Sequence, residues 1–358
     1  MATALVTGYP GFIGKRLVGA LLDRDPELRV VALVEPRMAT VARTLTAGEP
    51  RTEVLVGDIA VRGLGLTAAD RERLAAELTH VFHLAAIYDL AVPVELAQRV
   101  NVAGTGNVLE LCLAAERLER LAYVSTAYVS GRRHGVVYEH ELVMGQAFKN
   151  HYESTKFQAE VWVRQLMDRV PTTVLRPAIV VGDSRTGETQ KFDGPYYLLR
   201  TISRAEQAGR PVVQFGASGA PFNVVPVDFV VEAIATAAFD PAAVGETLHL
   251  VDPKPLTTRE LVVVLSQAYA RRAPVGRVPP TLVEHGLRWR RVRELFGGTP
   301  RESIAYLNHI VSFDTRRAVD LLGPHGLQPP RFEAYADAIV AFFREHERDP
   351  ALAPVRQG

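Results

Sequence analysis

The chain carries a single cysteine, Cys112, in 358 residues. This excludes an internal disulfide framework and any zinc site built from several thiolates, and it fits a reducing compartment. Cys112 lies in the apolar helical pattern Val108-Leu109-Glu110-Leu111-Cys112-Leu113 and reads as a small packed hydrophobe rather than a nucleophile. An excess of charge of one sign is also missing. With 41 Lys and Arg against 40 Asp and Glu, the formal charge is +1, so no global field draws the chain to nucleic acid or an anionic membrane. No stretch approaches the roughly 18 consecutive apolar residues of a membrane span. The first residues run into the strand-like Ala4-Leu5-Val6-Thr7 without a basic leader or an apolar signal core. The expectation is a soluble cytoplasmic protein. Fixed-period repeats are absent too, which excludes a solenoid.

What is present is an average globular composition, 47% hydrophobic and 23% charged, in a chain long enough to bury a sizeable core as one large α/β domain with a cap, or as two modest domains. Short apolar or β-branched runs recur at Ala4–Thr7, Val30–Val34, Glu53–Val56, His80–Leu84, Arg120–Ser125, Thr172–Arg176 and Glu246–Val251. Helical patterns such as Ile13–Asp23 and Gly104–Glu116 separate them. That alternation predicts a Rossmann-type, doubly wound parallel sheet whose strands are buried on both faces. Residues 1–182 form the expected dinucleotide-binding domain, joined by the late strand near 246–251. Residues 183–348, with loops punctuated by Gly and Pro, form a smaller substrate-binding portion, and 349–358 a loose tail.

Thr7-Gly8-Tyr9-Pro10-Gly11-Phe12-Ile13-Gly14 follows the first strand and opens the first helix. Glycines at this spacing let backbone approach a pyrophosphate, expose the N–H groups of a helix start, and allow helix and strand to pack closely. After the second strand come Glu35-Pro36-Arg37. Glu35 suits the ribose 2′-hydroxyl of NAD(H); Arg37, helped by Arg16, suits the 2′-phosphate of NADP(H), and NADP(H) is favoured. Asp58, with Ile59 at the end of the third strand, reads as an adenine-facing carboxylate or as a helix N-cap.

Tyr152 and Lys156 stand at i and i+4, on one helix face. A phenol of ordinary pKa near 10 is a poor acid–base at neutral pH, and an adjacent ammonium lowers it while also holding a ribose hydroxyl. Upstream, Ser125 and Thr126 end a strand with hydroxyls where a carbonyl oxygen would sit, and Thr126 could orient that oxygen.

The glycine turn, Gly57-Asp58, His83-Leu84-Ala85-Ala86, Asn101-Val102-Ala103-Gly104-Thr105, Ser125-Thr126, Tyr152 to Lys156 and Arg176-Pro177-Ala178-Ile179-Val180-Val181-Gly182 occur in one order. In that order they resemble the extended short-chain dehydrogenases/reductases. The resemblance implies Tyr152 as acid–base, Lys156 as its partner, Thr126 as the carbonyl-orienting hydroxyl, and Asn101 as support for the lysine and a relay water. Asn101 also suits a cap of the following helix. Gly8, Gly11, Phe12, Ile13, Gly14, Leu84, Ala85, Ala86, Pro177 and Ile179 are implied at the cofactor, and His83 is expected as a core residue at a strand end.

The runs Tyr123–Val129, Tyr152–Glu160 and Arg176–Glu188 look most like the fatty acyl-CoA reductase and thioester-reductase branch. The implied reaction is hydride transfer to a carbonyl or acyl thioester. Sterol or hydroxy-substrate dehydrogenation, nucleotide-sugar epimerisation or dehydration, and non-catalytic dinucleotide sensing stand as alternatives. Tyr88, Ser125, Tyr128, Tyr196 and Phe222 are expected to line the substrate pocket, under a lid from Asp193–Tyr197 and Phe215–Phe222. The Arg-rich stretch Arg271–Arg301 suits an acidic carrier protein or a coenzyme A phosphate, or is simply a solvated helix face. A homodimer through the helices Gly104–Glu116 and Tyr152–Asp168 is what similar proteins suggest.

Overall fold

The computed structural model describes residues 2–88, 92–214, 219–277 and 305–353. Its centre is a sheet of seven parallel strands: β1 (Thr3–Thr7), β2 (Arg29–Val34), β3 (Thr52–Val56), β4 (His80–His83), β5 (Arg120–Val124), β6 (Thr172–Pro177) and β7 (Thr247–Leu250). Their spatial order is β7-β6-β5-β4-β1-β2-β3. Each apolar run picked out in the sequence is one of these strands, because a run buried on both faces leaves a parallel sheet as its only partner. The exception is the edge. β3 has one neighbour, and its residues are half-buried throughout.

Alternation along β1 sends its side chains to two cores. Ala4 and Val6 join a cluster with Leu17, Leu21, Phe82 and Leu175, while Leu5 joins Val31, Val81, Leu121 and Val174 on the other face. Helix α1 (Phe12–Arg24) covers the first face; α2 (Gly104–Ala114) and α3 (His151–Gln165) cover the second. Cys112 is buried in this second core, where burial pushes its thiol up to about 12.

The sequence beyond residue 182 contributes α4 (Tyr196–Gln207), α5 (Val227–Phe239), α6 (Thr258–Ala270) and α7 (Phe332–His346). α5 is apolar on nearly every side and packs against α1, so it belongs to the sheet layer together with β7. Short parallel pairs, Ile179–Val181 with Val224–Pro226 and Gly135–Val137 with Val311–Phe313, join the two portions. The expected loose tail is partly held: Leu352 packs on the core and its carbonyl accepts from Phe192 N–H at 2.9 Å. Residues 354–358, most of the Arg271–Arg301 stretch and residues 215–218 of the expected lid lie outside the described residues. Among the described residues, no helix is long and apolar enough to cross a membrane.

The strand order reverses between β1 and β4. Chains leaving the carboxyl ends of these neighbours turn in opposite directions and leave a crevice, the usual ligand position in such sheets. Thr7 at the end of β1 fixes that edge. Its hydroxyl accepts from the N–H groups of Leu84 and Ala85, each at 3.2 Å, and meets His83 Nδ1 at 2.8 Å.

Candidate active site

The crevice opens into a cavity of about 670 Å³ that runs from the glycine turn to Tyr152, within the roughly 300–1,000 Å³ usual for small-molecule sites. The turn is tight. Gly8 has φ +89, and a Cβ there would lie 2.9 Å from Ala85 N; a Cβ on Gly11 or Gly14 would lie 2.8 or 2.5 Å from the Gly8 carbonyl oxygen. The glycines therefore let the turn fold under the start of α1, and Gly8, Gly11, Phe12, Ile13 and Gly14 all line the cavity. These residues fit a dinucleotide. Backbone is bare where a pyrophosphate would lie, and the uncapped N-terminus of α1 supplies N–H donors. Leu84, Ala85, Ala86, Pro177 and Ile179 form further walls.

At the far end of β2, Glu35 and Arg37 both line the cavity and are paired with each other. Arg16 is not with them. Its guanidinium lies 4.7 Å over the Phe12 ring, one helical turn back, and meets Glu188 at 3.2 Å, so the expected two-arginine phosphate site is not assembled. Gly57 and Ile59 line the cavity but Asp58 does not: its carboxylate accepts from Ala60 N–H at 2.8 Å and closes a turn instead of facing adenine.

At the other end, Thr126 leaves β5 and caps a turn at Tyr128, accepting from its N–H at 3.3 Å. The Thr126 side chain and the Tyr152 phenol line the same part of the cavity. Tyr152 is set by α3, whose start is fixed by Asn150 Oδ1 accepting from Glu153 N–H at 2.9 Å. Thr126, Tyr152, Lys156 and Ser125 thus face one cavity.

The electrostatics differ from expectation. Lys156 Nζ donates to Tyr123 Oη at 3.0 Å and to the Val124 carbonyl at 2.8 Å. Burial pushes its pKa down to about 7 and raises that of Tyr152, with the neighbouring Thr126 side chain opposing the latter shift. Burial is the largest influence on the phenol, and Lys156, its amine turned toward β5, is not among the groups that shift it. Asn101 lies in a π-helical turn, Gln98–Ala103, not at a cap; it accepts from Ile87 N–H at 2.8 Å and donates to Thr155 Oγ1 at 3.0 Å, tying the chain after β4 to α3. His83 is buried and held neutral, with burial driving its pKa down to about 3.

Beneath Ser125, whose hydroxyl donates to Glu160 Oε2 at 2.6 Å, lies a fully buried pair of Glu160 and Arg176 at 2.7 Å. On the substrate side, Tyr88, Tyr128 and Phe222 line the cavity as expected. Tyr88 meets the Tyr152 ring edge-on at 5.0 Å. Tyr196 does not line it: its hydroxyl accepts from Gly182 N–H at 3.0 Å and its ring packs against Phe192. Tyr197 takes the place, one helical step away, and with Asp193 it comes from the expected lid; Lys191, Tyr306 and Leu307 also line the cavity and were not among the expected residues.

A sequence profile of the male sterility protein family matches residues 6–234, well over half of the chain. The chain belongs to this family. Male sterility family relatives include a carboxylic acid reductase of Segniliparus rugosus, 27% identical over 269 residues, or 65% of this chain and 23% of that protein. The Drosophila melanogaster fatty acyl-CoA reductase wat is 27% identical over 280 residues, 66% of this chain and 53% of that one. The chain thus spans at most about half the length of these two relatives. Among solved structures, the terminal R domain from the myxalamid PKS-NRPS biosynthetic pathway superposes with a TM-score of 0.81 at 25% identity, covering 98% of this chain and 92% of that one. The male sterility family assignment agrees with the resemblance to the thioester-reductase branch of the extended short-chain reductases.

Proposed function

We propose that the protein reduces an acyl thioester or aldehyde carbonyl with NADP(H), with Tyr152 as proton donor. The observation that carries this reading is one cavity that is lined by the glycine turn at one end and by Thr126 and Tyr152 at the other. When bound, the reduced nicotinamide supplies a hydride to the carbonyl carbon. Thr126 and Tyr152 hydrogen-bond the carbonyl oxygen, and Tyr152 gives it a proton as charge develops there. With a thioester substrate, the adduct then expels the thiol and leaves an aldehyde. The phenol carries its proton at neutral pH, as a reduction requires at the outset, and charge developing on the carbonyl oxygen draws that proton across. Lys156, when protonated, would hold a ribose hydroxyl with the one N–H that Tyr123 and the Val124 carbonyl leave over.

The NADP(H) preference rests on Arg37. Its pair with Glu35 is exposed and so contributes only about 0–1 kcal/mol, which leaves the guanidinium free to exchange that carboxylate for a phosphate at little cost. An acidic carrier protein bearing the thioester, and a homodimer, extend the same reading. The test is turnover with NADPH and with NADH across acyl-CoA thioesters, aldehydes, sterols and nucleotide sugars. Reduction of thioesters or aldehydes with NADPH, weakened about tenfold in Arg37→Ala, is expected. Turnover confined to sterols or sugars, or dinucleotide binding without turnover, would replace the proposal.

A further inference from the structure

Tyr306 enters the cavity from the C-terminal portion, 150 residues from the helix it touches, and is held on several sides. Its hydroxyl donates to Glu153 Oε1 at 2.8 Å and accepts from Asn150 Nδ2 at 2.8 Å, the two residues that start α3 on either side of Tyr152. Glu153 is fully buried and is paired with Lys149 at 3.2 Å, whose ammonium also lies 5.1 Å from the Tyr306 ring centroid. The ring in turn meets Tyr128 edge-on at 5.1 Å. A side chain anchored at its tip, with a cation behind it, does not swing aside when a substrate enters. Because its hydroxyl is already committed to two partners, the ring presents carbon to the cavity, beside Leu307 and Phe222. The charged pair at this end, Lys191 and Asp193, neutralise each other at 3.7 Å. A polar acyl group pressed against the Tyr306 ring would lose water and find the Tyr306 hydroxyl already engaged.

We propose that Tyr306 is the specificity-determining residue of the acyl end of the site, a fixed aromatic wall that selects apolar acyl chains by length. This rests on the reduction reading above. A rigid wall sets a depth. A chain that fits gains contact with each methylene, and one that is too long must displace a ring anchored to the helix carrying the proton donor.

The experiment measures kcat/KM with NADPH for butyryl-, octanoyl-, dodecanoyl- and hexadecanoyl-CoA in the wild type, Tyr306→Ala, Tyr306→Trp and Tyr306→Phe. The alanine variant is expected to shift the preference between the shortest and longest chains about tenfold toward the longer, and the tryptophan variant to shift it the other way. Phenylalanine keeps the ring but loses both anchoring hydrogen bonds and is expected to shift the preference toward longer chains by less than alanine does, while KM for NADPH stays unchanged in all three. A uniform loss for every chain length in the alanine and tryptophan variants would overturn the proposal. If alanine prevents folding, the tryptophan and phenylalanine variants decide it. If the wild type reduces none of these thioesters, the reduction reading fails on its own; the wall is then judged by calorimetric binding of the same four compounds, where identical ranking in wild type and tryptophan variant refutes it.

Discussion

Lys156 gives the sharpest quantitative test of the site's electrostatics. Its folded-state pKa is pushed down to about 7 by burial, from an ordinary value of 10.5. Between those values the unfolded chain holds more protons than the folded one, so stability rises with pH across that window and the penalty is fully present below about 7. With 1.36 kcal/mol per pKa unit, the penalty is about 5 kcal/mol near pH 6 and about 2 kcal/mol near pH 9. Lys156→Met keeps the length and removes the charge. It also removes two hydrogen bonds, to Tyr123 Oη and the Val124 carbonyl, at a cost of about 1–2 kcal/mol. The variant without cofactor is therefore expected to be more stable than the wild type by about 3 kcal/mol near pH 6, and roughly equal to it near pH 9. Urea unfolding of both proteins across this range measures the difference. A variant equally destabilised at both ends would show that Lys156 is not a desolvated, nearly neutral amine, and the account of how it sits against β5 would fail.

The buried Glu160–Arg176 pair should be far less forgiving. Glu160→Gln leaves the Arg176 guanidinium without its carboxylate in a fully buried position and is expected to lower the unfolding free energy by about 3–5 kcal/mol; a loss under about 1 kcal/mol in urea unfolding would contradict this. Gly14→Ala drives a Cβ to 2.5 Å from the Gly8 carbonyl oxygen, with backbone on both sides, and should cost about 1–3 kcal/mol of stability and weaken dinucleotide binding as followed by nicotinamide fluorescence. Wild-type melting and affinity in that variant would refute the packing argument.

Much of this was legible because the signals are short-range and periodic. A run such as Val30–Val34, apolar on both sides, has to be an inner strand. The glycine spacing fixed the turn at Gly8–Gly14, and the i, i+4 spacing put Tyr152 and Lys156 on one helix. What could not be read was the choice among competing partners. Arg16 had Phe12 and Glu188 nearer than the crevice, and Lys156 had Tyr123 and a free strand-end carbonyl. Tyr196 and Tyr197 are adjacent, so a helical step of about 100° decided which faces the cavity. Tyr306 was invisible for another reason: its contacts with Asn150 and Glu153 span more than 150 residues, and no local pattern encodes them. A signal for Glu153 did exist, an acidic residue three positions after an Asn at a helix start.

The central claim is that the phenol of Tyr152 delivers the proton in a hydride-driven reduction within the crevice. A single-turnover measurement of NADPH oxidation with an acyl-CoA, in wild type and Tyr152→Phe, tests it most directly. The account predicts that the variant loses about 10²–10⁴ in rate while binding NADPH as tightly as the wild type. Turnover at the wild-type rate without the hydroxyl would contradict it.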